Sequence, residues 1–582
     1  MQFNFQTHAF SRRGAWLIVK QGEHGRLLIK TLRGSVIARK EHAHGWAADY
    51  YEIALFDQER ELAFEVEADS CALHLHAVGV EARLVFLDDL TLGLYVRGGE
   101  LRLLPKQDNS WLAQLSADEW LLCSQLAGTY HHFRSGPDTE LQLLGEATVT
   151  GHWGRGAQQR RVLRVQPTTA DWASLAFRES LYQLSQLPQP PAWSTAQDQA
   201  VDDEASWMQA CPEVASDWQQ AAREAWRLLG SWQVSPSDRL RRRALLSSKN
   251  SWLIKVWSWD NCFHALALAH VDPDLALDQL RMFFDLQAPN GAIPGTVNDQ
   301  RGTYGFCKPP VFGWCLRELR RLLGDQRCSK TTADMYEPLA RYTRYWLDYH
   351  RHPADASGLC FYRHGNDSGW DNGGPFTPGE LVRTPDLDAY LIVQMQELAY
   401  LATACGKTDE ATRWQDLAAE HRQRFIDNMF VYNQPVSRRI PDGAIIPATP
   451  TCALSLIPLI LGEQLPAAIR AHLIDAVRPD GPFLTPYGVA SEQIGSPRYQ
   501  RDGYWRGPIW APVQVLLHAG LRDCGEHGLA RELATRCCRM WAEHPSFSEN
   551  HDAESGAGLQ APGVSWTAAA FIHLATALVD ER

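Results

Sequence analysis

The sequence predicts a multidomain protein of α and β parts: an antiparallel β-sandwich-like domain over residues 1–190, a linker over 191–214, and a helical domain over 215–582. Three observations predict this. At 582 residues the chain is too long for one core. Its apolar residues recur every second position up to about residue 185 and at helical spacing after about residue 215. Between the two lies "SQLPQPPAWSTAQDQAVDDEAS", three prolines in four positions followed by an acidic run, which reads as a strap.

The strands are short. "ELAFEVEA", "CALHLHAVGV", "ARLVFLDDLTLGLYVR" and "ATVTGHW" alternate apolar and polar residues between Gly, Asp and Pro breaks. Many short strands, each with one apolar face, bury those faces most simply as two stacked sheets. Beyond the strap, "DWQQAAREAWRLLGSW", "MYEPLARYTRYWLDYHRH", "TPDLDAYLIVQMQELAYLATAC", "EATRWQDLAAEHRQRFIDNMF", "APVQVLLHAGLRDCGEHG" and "LARELATRCCRMWAEH" place apolar residues at i, i+3, i+4 and i+7. Some 370 residues leave room for about 12 helices with their loops. A closed double ring of helices fits that count.

Composition excludes several function classes. The net charge of -12 is spread without blocks, which argues against a nucleic-acid or anionic-membrane surface. No run of about 18 apolar residues is present to span a bilayer. The N-terminal "MQFNFQTHAFSRRGAW" lacks the pattern of a secretory signal. The 13 cysteines are scattered and sit in apolar runs, so they read as free thiols in a reducing cytoplasm. Adjacent Cys537 and Cys538 read as core filling. The spacing suits no metal site, and no cofactor is expected.

The helical part is interrupted by segments that its amphipathic pattern does not require. "KVWSWDNCFHALALAH" puts Trp257, Trp259 and Asp260 at the head of an apolar helix. Asp260 alone reads as a cap, but indoles flanking a carboxylate also make a platform for a sugar. "FCKPPVFGW", with Lys308, and "DGYWRGPIWAP", with Tyr504, Trp505, Arg506, Gly507 and Trp510, repeat the theme. "HGNDSGWDNGGPFTPG" sets Gly369, Trp370 and Asp371 in a stretch too rich in glycine for a helix or strand, and "FSENHDAESGAG" holds Glu549 outside any amphipathic pattern. Paired carboxylates in an aromatic-lined site are what glycosidic-bond hydrolysis needs, one protonated and one ionised. No phosphate loop, nucleophile elbow or metal-ligand spacing competes with them.

"WSWDNCFHALALAH", "KPPVFGW", "SGWDNGG", "TPDLDAYL", "YWRGPIWAP" and "SENHD", in this order, resemble the ordered motifs of glycoside hydrolase family 63 across about residues 215 to 580. That group includes mannosylglycerate and glucosylglycerate hydrolases and processing α-glucosidases and is related to inverting trehalases. The resemblance implies an (α/α)6 toroid with a deep sugar pocket at one end. It implies Asp371 as the general acid and Glu549 as the general base. Trp259 and Asp260 match a sugar-binding pair, and Trp505, Gly507 and Trp510 match a pocket wall. His551 stands where tyrosine is usual, and Lys308 where a glutamine or another polar residue is common. A lysine there either attracts an acidic aglycone or is a solvent-facing loop charge.

The expectation is thus an inverting α-glycosidase acting on a small α-linked sugar, an α-glucoside by preference, with an acidic or glycerate-type aglycone in view. Asp371 is expected to be kept protonated by an enclosed site, with the glycines of its loop giving clearance to a sugar ring. Inversion needs the two carboxyl groups about 6.5 to 9.5 Å apart so that water fits between them. Two other readings stay open: a sugar epimerase or isomerase on a similar toroid, using His264 and His551 as proton shuttles, and a carbohydrate-binding protein without catalysis. A small carbohydrate is the expected partner, with no nucleic acid and no membrane; the oligomeric state is not legible.

Overall fold

The computed structural model describes residues 8–580 apart from 23–24, 35–47, 107–109, 125–128, 145–161, 170, 183–186, 252, 325–331 and 378. The strand expected at "ATVTGHW" lies outside the described residues. Two compact units emerge, one of residues 1–210, 230–255 and 298–300, the other of 211–229, 256–297 and 301–582.

The first unit holds two large antiparallel sheets, of seven and eight strands. Their alternating residues meet in a single core: Leu17, Ile29, Ile53, Leu101 and Val165 from one sheet against Leu75, Leu84, Leu94, Phe133 and Phe177 from the other. That is the sandwich that period-two patterning calls for, each strand giving one face to the core.

The stretch expected to be a linker differs. Trp193–Gln209 is a 17-residue helix. Its Ala196 and Ala200 pack on Val85 and Tyr95, and the Tyr95 hydroxyl donates to the Pro191 carbonyl at 2.9 Å. Asp203 of the acidic run pairs with Arg12 and Arg13, and only Ala196, Ala200, Trp207 and Met208 of the 17 residues are buried, an apolar stripe so narrow that composition alone suggested a strap.

The second unit is helical. Six segments, Asp260–Leu268, Phe312–Leu323, Pro385–Ala404, the 3₁₀ segment Ala453–Gln464, Ala511–Asp523 and Ser565–Asp580, pack each against the next and the last against the first. Most of them are apolar nearly all round, and Asp260–Leu268 is buried at every position. Helices such as Pro273–Phe284, Tyr336–Tyr349, Thr408–Met429 and His527–Glu543 pack outside them and carry one buried face each. Cys537 and Cys538 fill core positions in the last of these. Among the described residues no helix is long and apolar enough to cross a membrane.

Candidate active site

Irregular segments between the helices of the second unit bring the sequence-predicted residues together. Gly365–Ser368 is a single helical turn ended by Gly369 in the left-handed conformation (φ 78°), after which the chain runs through Trp370 to Asp371. Asn372 then ties this loop to the "YWRG" segment. Its side-chain amide donates to the Gly503 carbonyl at 3.0 Å, its side-chain oxygen accepts from the Trp505 N–H at 2.9 Å, and its carbonyl accepts from Arg506 Nε at 2.7 Å. The same segment continues to Ile509, which exchanges backbone hydrogen bonds of 2.7 and 3.0 Å with His551, two residues past Glu549. Both carboxylates are thus fixed to one strip of chain, residues 503–509.

Tyr504 is the link at the centre. Its hydroxyl donates to Glu549 Oε1 at 2.9 Å. Burial and the neighbouring Glu549, Asp371 and Asp260 carboxylates push this phenol well above its usual range, so it remains a donor. Its backbone is held at φ 62°, a region that non-glycine residues seldom occupy and that clusters at functional sites.

Glu549 is enclosed, 2% exposed, and its Oε2 accepts no hydrogen bond. Burial pushes its carboxyl up to about 7; the Tyr504 hydrogen bond opposes this, while Asp371 and Asp260 add to it. The enclosure expected around Asp371 has therefore fallen on Glu549. The Asp371 side chain is 29% exposed, with the Lys308 ammonium 3.7 Å from its Oδ1.

Lys308 is not the solvent-facing charge allowed by the sequence: it is buried, with φ 51°, and its ammonium donates to the Asn366 carbonyl at 2.9 Å and to the Asn366 side-chain oxygen at 2.8 Å. It also lies over the rings of Trp257 and Phe306, at 5.1 and 5.5 Å. Arg506, expected at the sugar, is half-buried and donates its Nε to the Asn372 carbonyl.

The tryptophans form one body. Trp505 and Trp510 stack with centroids 3.9 Å apart and planes 4° from parallel, Trp370 leans on Trp505 at 4.7 Å, and Trp259 meets Trp505 at 6.0 Å. These four rings are almost wholly buried against one another; Trp257 and Tyr504 are the expected pocket aromatics that keep more surface. Trp566, at the head of the last helix, closes the cluster edge-on to Trp259 and Trp510 at 5.6 and 5.4 Å. Sequence reasoning passed over it, although a tryptophan heading an apolar helix repeats the pattern at Trp259. Asn366 and Asn372 were passed over too, each close to Asp371 in sequence. Asp260 is the buried first residue of its helix.

Two glycines of the Asp371 loop, Gly365 and Gly369, make room for the protein itself. A Cβ at Gly369 would lie 2.7 Å from the Trp259 ring, and one at Gly365 would lie 2.0 Å from the Asp371 carbonyl oxygen. At Gly507 (φ 150°) a Cβ would meet the Gln500 carbonyl oxygen at 2.2 Å. Gly369→Ala is expected to destabilise the protein by about 3 kcal/mol, adding left-handed strain to overpacking against a ring that cannot yield. Denaturant unfolding measures this; a change under about 1 kcal/mol would mean that the tryptophan cluster gives way freely.

Residues 254–567 match the family described as the mannosylglycerate hydrolase MGH1-like glycoside hydrolase domain. The chain belongs to this family, within glycoside hydrolase family 63. A mannosylglycerate hydrolase of Thermus thermophilus is 24% identical over 387 residues, covering 54% of this chain and 92% of that protein. The crystal structure of a family 63 mannosylglycerate hydrolase from Thermus thermophilus in complex with Tris and D-glycerate aligns with a TM-score of 0.50 at 21% identity, over 61% of this chain and 99% of that one. A bacterial glucoamylase complexed with acarbose aligns with a TM-score of 0.58 at 11% identity, over 100% of this chain and 95% of that one, a likeness of fold.

His264 and His551, the two histidines that the isomerase reading would use, are both buried. His264 is held between Asn261 Oδ1 at 3.2 Å and the Ser565 hydroxyl at 2.8 Å, and burial holds it down to about 3. His551 is buried and likewise held down to about 3. Both are therefore neutral near pH 7.

Proposed function

We propose that this protein is an inverting α-glycosidase whose helices close as an (α/α)6 toroid, acting on a small α-linked hexose with a glycerate-type aglycone. The single observation that carries the reading is a pair of carboxyl groups, Asp371 and Glu549, anchored to one strip of chain around Tyr504. The glucoamylase likeness and the closed ring of six inner segments support the toroid. The sequence favoured an α-glucoside; the relatives named as mannosylglycerate hydrolases move the first choice to α-mannosylglycerate, with α-glucosylglycerate second. A reducing cytoplasm remains the proposed location, since the cysteines described are free thiols.

In this mechanism Asp371 gives its proton to the glycosidic oxygen as the C1–O bond breaks and its electron pair passes to that oxygen. The aglycone departs as an alcohol. Water attacks C1 from the opposite face, and Glu549 takes the proton it sheds. Glu549, with a carboxyl pushed up to about 7, is matched to a base that must lose and regain a proton near neutrality. The α-bond should give the β-anomer first. Proton NMR of α-mannosylglycerate and α-glucosylglycerate digests reads this directly; an α-anomer formed first would exclude inversion.

One observation favours a second assignment within the same site. Glu549 is the enclosed group and Asp371 the one beside a cation, an asymmetry that on its own would make Glu549 the acid and Asp371 the base. Family resemblance favours the first assignment, and leaving-group dependence separates the two.

A further inference from the structure

Lys308 presents an arrangement that neither sequence reading foresaw. A buried ammonium is costly unless its donors are satisfied. Here two of its three N–H bonds go to Asn366, and the two aromatic faces of Trp257 and Phe306 cover the charge. The group left for the third is Asp371 Oδ1, 3.7 Å away, a buried oxygen that accepts no hydrogen bond. The Lys308 backbone is itself held at φ 51°, in the left-handed region, by a segment whose Cys307 N–H donates to Asp367 Oδ1 at 3.0 Å. Asn366 and Asp367 lie on the helical turn that leads into Asp371. The lysine is therefore anchored to the same turn that carries the aspartate, and its charge is committed inward.

We propose that Lys308 is a positioning residue for Asp371: fixed by Asn366, its ammonium holds Oδ1 and leaves Oδ2 to meet the glycosidic oxygen. This rests on the reading of Asp371 as the acid. When the proton passes from Oδ2 to the departing oxygen, the carboxyl becomes a carboxylate, and a cation already in place stabilises that charge without reorganisation. A cation so engaged does not serve to bind an aglycone carboxylate.

Lys308→Met tests this on three α-linked substrates with the same hexose: the glycerate-linked one, a neutral glycerol-linked one and the glycosyl fluoride, whose fluoride departs without a proton. The expected result is a kcat lower by about 10- to 100-fold on both alcohol-linked substrates, with KM little changed and fluoride turnover within about threefold of wild type. The fluoride turnover also reports that the variant is folded. A rise in KM confined to the glycerate-linked substrate would make Lys308 an aglycone-binding residue and overturn the proposal, as would equal losses on all three. If Lys308→Met does not fold, Asn366→Ala removes one of the two oxygens that aim the ammonium and should show a smaller loss with the same leaving-group pattern; its absence would overturn the proposal equally. Asp371→Asn run beside them keeps the two questions apart. If it spares the fluoride and Lys308→Met does not, the positioning role fails while the acid role stands; if Asp371→Asn itself does not spare the fluoride, the acid role has failed.

Discussion

Asp371→Asn should lower kcat on a glycerate-linked α-hexoside by about 10³-fold, within the range by which positioned proton donors contribute, and leave KM within a few-fold of wild type. The carboxamide keeps the shape of the carboxyl but has no proton to give an alkoxide leaving group. On the corresponding α-glycosyl fluoride the same variant should lose less than about tenfold. That contrast tests more than the importance of the residue. If electrostatics rather than family resemblance assigns the roles, Asp371 is the base, and its amide would cripple fluoride hydrolysis as severely as that of the natural glycoside. The pattern would then exchange, with Glu549→Gln sparing the fluoride. The kinetics of two variants on two substrates decide the assignment.

Much of this site was legible because its segments violate the pattern around them. Tryptophans, glycines and carboxylates at the heads of apolar helices have no role in an amphipathic stripe, and the second unit does gather Trp259 and Asp260, at the head of a helix, with Lys308, Asp371, Tyr504 and Glu549 on irregular segments between helices. The split between strands and helices was legible for the same reason, since a period of two and a period of 3.6 bury different faces. What escaped depends on contacts between residues far apart in the chain. Asn372 reads as a loop amide until Trp505 and Arg506 are brought to it. Gly369 reads as space for a ligand until the Trp259 ring is found 2.7 Å from where its Cβ would be. Which carboxyl is enclosed could not be seen either, because Tyr504 lies 45 residues from Glu549 in sequence and its hydroxyl only 2.9 Å away in space. The helix over 193–209 was hidden by composition: only four of its residues, Ala196, Ala200, Trp207 and Met208, are buried, and Asp203 meets its partners Arg12 and Arg13 some 190 residues away in sequence.

Glu549→Gln carries the other large effect, in activity and in stability, with opposite signs. As the base, Glu549 must be ionised in the free enzyme, so wild-type kcat/KM should rise with pH through about 7. The groups that set this limb are the enclosing residues, the Tyr504 hydroxyl and the Asp371 and Asp260 carboxylates. Glu549→Gln should lose about 10³-fold or more in kcat on glycoside and fluoride alike, and the rising limb should vanish. A kcat/KM that falls through about 7 would instead identify Glu549 as the acid. Stability runs the other way. In the unfolded chain this carboxyl titrates near its usual 4.5, and in the folded protein near 7. Between those values the native state holds a proton that the unfolded state releases, so stability is present below 4.5, declines as pH rises and is lost above about 7. The loss amounts to about 3 kcal/mol at most, at about 1.4 kcal/mol for each pH unit of difference. A glutamine does not titrate. The variant should therefore gain stability relative to wild type on going from pH 5 to pH 8, by as much as about 3 kcal/mol, while it is nearly inactive throughout. Denaturant melts of both proteins at the two pH values measure the difference; a gap that does not change with pH would mean that Glu549 is not enclosed as its contacts with Tyr504 and the neighbouring carboxylates require.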